Sequence, residues 1–78
     1  WAEHKVRVNC VAPGFITGRT LNKMLEEYSS QNSLLEKIPL NRFGFPEEVA
    51  ESIFFLASSK SSYITGSTIY IDGGYSLN

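Results

Sequence analysis

The sequence has a single cysteine and a single histidine, and no apolar run approaches the roughly 20 residues a membrane-spanning helix needs. Cys10 alone can close no internal disulfide and stands at no metal-ligand spacing, which fits a reducing, intracellular setting and leads to a cytoplasmic assignment. Neither charge sign dominates. Seven basic against eight acidic residues give a formal net charge of −1, with no basic stripe to attract nucleic acid or an anionic membrane. There is no initiator methionine, no secretory or transit signature, no internal repeat and no linker. The opening Trp1-Ala2-Glu3-His4-Lys5 reads as the last turn of a helix, with cations at its negative end. A chain starting there is expected to be cut from a longer protein. At 78 residues it holds one domain at most, and a domain this small buries only about 60% of its unfolded surface.

What is present reads as strand, helix, strand. Val6 to Ala12 is a mostly apolar, β-branched run closed by Pro13-Gly14, the pattern of a parallel strand buried on both faces, with Arg7 and Asn9 as polar exceptions. Pro46 suits a first helical position, and Glu47 and Glu48 complement the positive helix end. Val49, Ile53 and Leu56 form one apolar stripe of that helix. Ala50, Phe54 and Ala57 form a second, and Phe55 widens the arc. The Ser58–Ser62 run ends the helix, Ser67–Asp72 forms the second strand, and Asp72-Gly73-Gly74 turns the chain. A right-handed crossover with parallel strands is the expected topology.

The segment from Pro13-Gly14 to Pro46 is too long for an ordinary connection and is expected to carry helices of its own. Leu21, Met24, Leu25 and Tyr28 fall at i, i+3, i+4, i+7, and Leu34, Leu35 and Ile38 mark a second short piece. Both a lid and a packed core fit these stripes. In open α/β sheets ligands bind beyond the carboxyl ends of the strands, where this excursion leaves. Among the remaining polar residues, Asn9 suits a hydrogen bond to a neighbouring loop and Asp72 suits ordering its glycine turn. Adjacent Glu47 and Glu48 point to different parts of the helix surface, so they cannot serve as a paired acid and base. Cys10 reads as an inert small apolar residue.

Three stretches carry a family resemblance. Val6-Arg7-Val8-Asn9-Cys10-Val11-Ala12-Pro13-Gly14, Ile38-Pro39-Leu40-Asn41-Arg42-Phe43-Gly44-Phe45-Pro46-Glu47-Glu48-Val49-Ala50, and Tyr63-Ile64-Thr65-Gly66 with Ile71-Asp72-Gly73-Gly74 occur in order and span nearly the whole chain. Together they resemble the C-terminal part of short-chain dehydrogenases/reductases, in particular the β-ketoacyl carrier-protein reductases. The resemblance implies an α/β fold in which residues 1–78 supply the last two parallel strands and intervening helices of a doubly wound Rossmann-like sheet, with a substrate lobe at about 15–45. It implies an NAD(P)-dependent oxidoreductase interconverting a carbonyl and an alcohol by hydride transfer. The family's glycine-rich phosphate turn and its Ser and Tyr-x-x-x-Lys group have no counterpart here: Tyr28 is followed four residues on by Asn32, Tyr63 by Ser67 and Tyr70 by Gly74. This chain therefore holds no catalytic residue and is expected to be inactive alone. The absent tyrosine would be the proton donor, with the absent lysine lowering its pKa.

By the same resemblance, the chain contributes the nicotinamide end of an NAD or NADP site through Pro13, Gly14, Ile16 and Thr17. Pro13 and Gly14 bring backbone close to a flat ring, and the Ile16 backbone pairs with the carboxamide. The family's usual threonine position is Gly18, with Thr17 one earlier and Thr20 two later. No metal is expected. A second reading from another class is a catalytically inactive remnant that serves subunit assembly. The wide apolar arc of the Pro46 helix fits either deep burial beneath following segments or a subunit interface; the interface is favoured, a homo-oligomer joined through Phe54, Phe55, Ile69 and Ile71, and the resemblance implies a tetramer.

Overall fold

The computed structural model describes residues 5–27 and 31–77. The expected opening helical turn lies outside them except for Lys5, and so does the Tyr28 end of the first excursion helix. Two strands, β1 (Cys10–Pro13) and β2 (Thr68–Ile71), pair in parallel with Cys10 opposite Thr68 and Pro13 opposite Ile71. Among the described residues three α-helices run between them: α1 (Arg19–Leu25), α2 (Gln31–Leu35) and α3 (Pro46–Ala57). This is the α/β order that the strand, helix, strand pattern requires. Cys10 N–H donates to the Ser67 carbonyl at 2.9 Å and Gly14 N–H to the Ile71 carbonyl at 3.0 Å. Donors toward β2 thus come from even positions. Pro13, which has no N–H, sits where an amide would face the other edge.

β1 starts later than the expected Val6–Ala12 strand, and Cys10 is exposed rather than buried on both faces. Residues 8 and 9 meet the backbone and one side chain of a distant loop in place of a strand. Val8 N–H donates to Thr65 Oγ1 at 3.1 Å, and Gly66 N–H donates to the Val8 carbonyl at 2.7 Å. Asn9 Nδ2 donates to the Ile64 carbonyl and Asn9 Oδ1 accepts from Ser67 N–H, both at 3.0 Å, the loop contact expected of it. Among the described residues only β2 flanks β1, so its other edge is open.

Arg7 secures the C-terminal end of α3. Its guanidinium donates to the carbonyls of Ser61 (2.8 Å), Ser58 (3.1 Å) and Ile64 (3.2 Å) and to Ser61 Oγ (2.9 Å). Ser61, only 1% exposed, donates from Oγ to the Leu56 carbonyl at 2.8 Å. A cation here gathers the turn that follows α3 and complements the helix's negative pole. The second stripe of α3, Ala50, Phe54 and Ala57, faces outward as the double-stripe pattern allows. Ile53 departs from expectation: it is exposed beside Phe54, and the inner face is Val49, Ser52 and Leu56. Ser52 tolerates that side because its hydroxyl donates to the Glu48 carbonyl at 3.0 Å.

The buried apolar side chains, Leu21, Leu34 and Ile38, all belong to the excursion, whereas no strand residue is buried. The two amphipathic stripes therefore form core. The radius of gyration is 15.3 Å, against about 11–12 Å for a compact chain of this length, which leaves the sheet and the outer face of α3 open.

Candidate functional site

The site is assembled where both strands end. Past Pro13, Gly14 passes so close to β2 that a Cβ on it would stand 2.6 Å from the Asp72 Cβ and 2.9 Å from its Cα, so no larger residue fits without displacing backbone. Asp72 then ties its own turn. Its Oδ1 accepts from Gly74 N–H and its Oδ2 from Ser76 N–H, both at 3.0 Å. Burial pulls its carboxyl upward, but those N–H donors outweigh it and hold the pKa below its ordinary value. Leu40 N–H donates to the Gly73 carbonyl at 3.0 Å, docking the excursion on this turn. Phe15 meets Tyr75 edge to face, ring centroids 5.0 Å apart.

At Phe15 the chain has left the sheet. An isolated parallel bridge joins Ile16 to Gly44: Gly44 N–H donates to the Phe15 carbonyl and Thr17 N–H to the Gly44 carbonyl, each at 2.9 Å. In a parallel bridge of this kind the central residue's own N–H and C=O point to the opposite edge. Ile16 therefore turns a full peptide edge away from Gly44, while the Thr17 amide is committed and only its hydroxyl is left to offer. Thr20 stands within α1, and Gly18 has φ of 149°.

A second group, which sequence reasoning left as a dipole-complementing surface residue, lies just past Gly44. Glu48 accepts from Arg42 through both oxygens, Nη1 to Oε1 at 2.8 Å and Nη2 to Oε2 at 2.9 Å. Glu48 Oε1 also accepts from Phe45 N–H at 2.9 Å, and Glu48 N–H donates to the Phe45 carbonyl. Phenylalanine has no side-chain acceptor, so the carboxylate alone supplies the side-chain half of this helix cap. The hydrogen bonds from Arg42, and then from Phe45 N–H, hold the Glu48 pKa down from 4.5 to about 2. The signal available in the sequence was Pro46 at a first position with glutamate two residues on, where a cap-closing carboxylate belongs.

Two clefts open at this end of the sheet. One of about 440 Å³ is lined by Phe15, Leu40, Arg42, Glu48, Tyr70 and Gly74 among others. The other, about 360 Å³, is lined by Pro13, Gly14, Phe15, Tyr70 and Tyr75 among others. The fold thus puts Pro13 and Gly14 on a cleft and Ile16 and Thr17 on the Gly44 bridge beyond it. Phe15, shared by both clefts, joins the two pairs. Among the described residues no helix is long and apolar enough to cross a membrane.

A family model described as enoyl-(acyl carrier protein) reductase matches residues 1–76. The chain is 53% identical over 73 residues to 3-oxoacyl-(acyl-carrier-protein) reductase FabG of Thermotoga maritima, an overlap covering 94% of this chain and 29% of that protein. It is 37% identical over 75 residues to 2-dehydro-3-deoxy-D-gluconate 5-dehydrogenase of Escherichia coli, covering 96% of this chain and 30% of that protein. Among solved structures, a putative 2-deoxy-D-gluconate 3-dehydrogenase from Agrobacterium tumefaciens with bound NADP superimposes with a TM-score of 0.91 at 31% identity, over all of this chain and 32% of that one. YwfH, an NADPH-dependent reductase of bacilysin biosynthesis, superimposes with a TM-score of 0.87 at 38% identity, over 95% of this chain and 31% of that one. The chain spans about 30% of the length of the curated relatives it matches.

Proposed function

Because the chain belongs to the short-chain dehydrogenase/reductase family, we propose that it supplies the nicotinamide end of an NAD or NADP site in an oxidoreductase acting on a small carbonyl compound or its alcohol. The nicotinamide, when bound, gives or takes the hydride. The chain's own residues orient it. Ile16 offers one N–H and one C=O on the edge opposite Gly44, a donor and acceptor pair that a primary carboxamide matches with its own oxygen and NH₂. That free edge is the observation that carries the proposal. It also favours the cofactor reading over an assembly remnant, which would have no use for it. Pro13 and Gly14 fit a flat ring because Gly14 adds no side chain to a cleft whose other walls include Phe15, Tyr70 and Tyr75. Thr17 contributes through its hydroxyl alone. Fixing the carboxamide at two points sets which ring face meets the substrate.

The 15–45 excursion is the substrate lobe in this proposal, and the molecule is a cytoplasmic tetramer. Exposed Phe54 and Phe55, 78% and 44% open, form an apolar patch continuous in kind with Ile69, and the half-buried Ile71 completes the proposed contact. The experiment that tests the cofactor proposal replaces Ile16 by proline in the full-length protein and measures NAD and NADP affinity. A sharp loss with folding intact is expected, since the donor is deleted. Thr17→Ala should cost less, about 0.5–1.5 kcal/mol for one neutral hydrogen bond. Unchanged affinity in the Ile16→Pro protein rules the contact out.

A further inference from the structure

Gly44 is held from both sides, and the two holds use opposite edges of the same peptide units. The Phe43–Gly44 unit donates its N–H to the Phe15 carbonyl at 2.9 Å, and its carbonyl, that of Phe43, accepts from Arg42 Nη1 at 3.1 Å. The Gly44–Phe45 unit accepts Thr17 N–H at its carbonyl at 2.9 Å, and its N–H, that of Phe45, donates to Glu48 Oε1 at 2.9 Å. One ion pair therefore grips the outer edges of both peptide planes, while Phe15 and Thr17 take the inner edges. Among the described residues, the Gly44 bridge tethers the backbone of the 15–17 segment after Gly14 leaves the sheet. Gly44 lies against Ile16, where a Cβ would come 2.9 Å from Cδ1, the movable end of that side chain.

We propose that Arg42 and Glu48 are positioning residues for the nicotinamide end of the site: their ion pair fixes both peptide planes of Gly44, and through them the free edge of Ile16. Neither side chain touches the cofactor. The geometry explains why a bidentate arginine is used where a lysine could supply charge, because only the planar fork can reach Glu48 with two nitrogens and the Phe43 carbonyl with one of them. It also explains the place of the pair. Both partners are substantially exposed, at 48% and 41%, where an ion pair adds little global stability, so its effect is local geometry.

The proposal rests on the cofactor reading above, and its test separates the two. The full-length protein and its Arg42→Lys, Arg42→Ala and Glu48→Ala variants are titrated with NAD and NADP, and with ADP-ribose and its 2′-phosphate, which lack the nicotinamide. The preference of the parent for intact cofactor over the matching fragment is the quantity read. Both alanine variants are expected to lose about fivefold to tenfold of that preference, Arg42→Lys less, with fragment affinity unchanged. Variants that keep the full preference, or that lose cofactor and fragment affinity in equal proportion, overturn the proposal, the second because it marks a merely structural role. Should an alanine variant fail to fold, Arg42→Lys alone decides between the same outcomes. A parent showing no preference for the intact cofactor overturns the cofactor reading and this proposal with it.

Discussion

The two ends of α3 are fastened by arginines used in contrasting ways. At the C-terminal end, Arg7 meets no carboxylate; its guanidinium is shared among three carbonyls and a hydroxyl around the buried Ser61. At the N-terminal end, Arg42 meets a carboxylate in the open, and the pair reaches two further peptide groups. Removing the first takes the charged donor from carbonyls that keep only neutral partners in a closed corner. Removing the second frees groups that water can serve. The difference teaches that equally dense hydrogen bonding can hold a fold in one place and only a site in another.

Three perturbations break or sharpen that contrast. The largest effect is expected from Arg7→Ala, which strips charge-assisted hydrogen bonds from the Ser58, Ser61 and Ile64 carbonyls. A stability loss of about 2–4 kcal/mol should appear as a lower urea midpoint of the full-length protein. Next, Phe54→Asp or Phe55→Asp loads a charge onto the strip between the two ends. Dissociation of the assembly is expected in sedimentation, since a buried, unpartnered charge opposes association, with both fastenings left intact. A parent assembly state retained by both variants shows that this strip is no interface.

The smallest effect belongs to Glu48→Gln, and its pH dependence is the sharper readout. The folded Glu48 carboxyl is depressed from 4.5 to about 2, so its contribution is fully present above 4.5 and is lost as pH falls through about 2. The gap in urea midpoint between parent and Glu48→Gln should be constant from neutrality down to about 4.5 and close below it. The gap for Arg7→Ala should not follow that course, because the acceptors of Arg7 do not titrate.

Local chemistry made the legible parts of this molecule legible. Pro46 with Glu47 and Glu48 marks a helix start that needs no partner to recognise, and Asp72-Gly73-Gly74 closes on itself. Pro13-Gly14 announces a turn, though not that Asp72 would crowd Gly14. The parts that escaped depend on residues far apart in sequence. Val6–Asn9 looks like strand because its apolar pattern is right, yet its partners are the side chain of Thr65 and the backbone of Ile64, Gly66 and Ser67. Arg7 reads as an exception in an apolar run until its acceptors, more than fifty residues on, are known. Ser52 lies on the inner side of α3, its hydroxyl satisfied by the Glu48 carbonyl, and Ile53 on the open side, which apolar spacing alone does not reveal. Leu21, Leu34 and Ile38 could have been lid or core by periodicity, and only the burial of each decides for core.

The free edge of Ile16 is the centre of the functional account, and its amide proton reports on it directly. The full-length protein, labelled with ¹⁵N at isoleucine and threonine, should be followed by NMR as NADP, NAD or ADP-ribose is added. The Ile16 amide is expected to shift downfield with an intact cofactor and to stay in place with ADP-ribose, while the Thr17 amide, already bonded to Gly44, stays in place with both. An Ile16 amide indifferent to the nicotinamide, or a Thr17 amide that moves in its stead, contradicts the account.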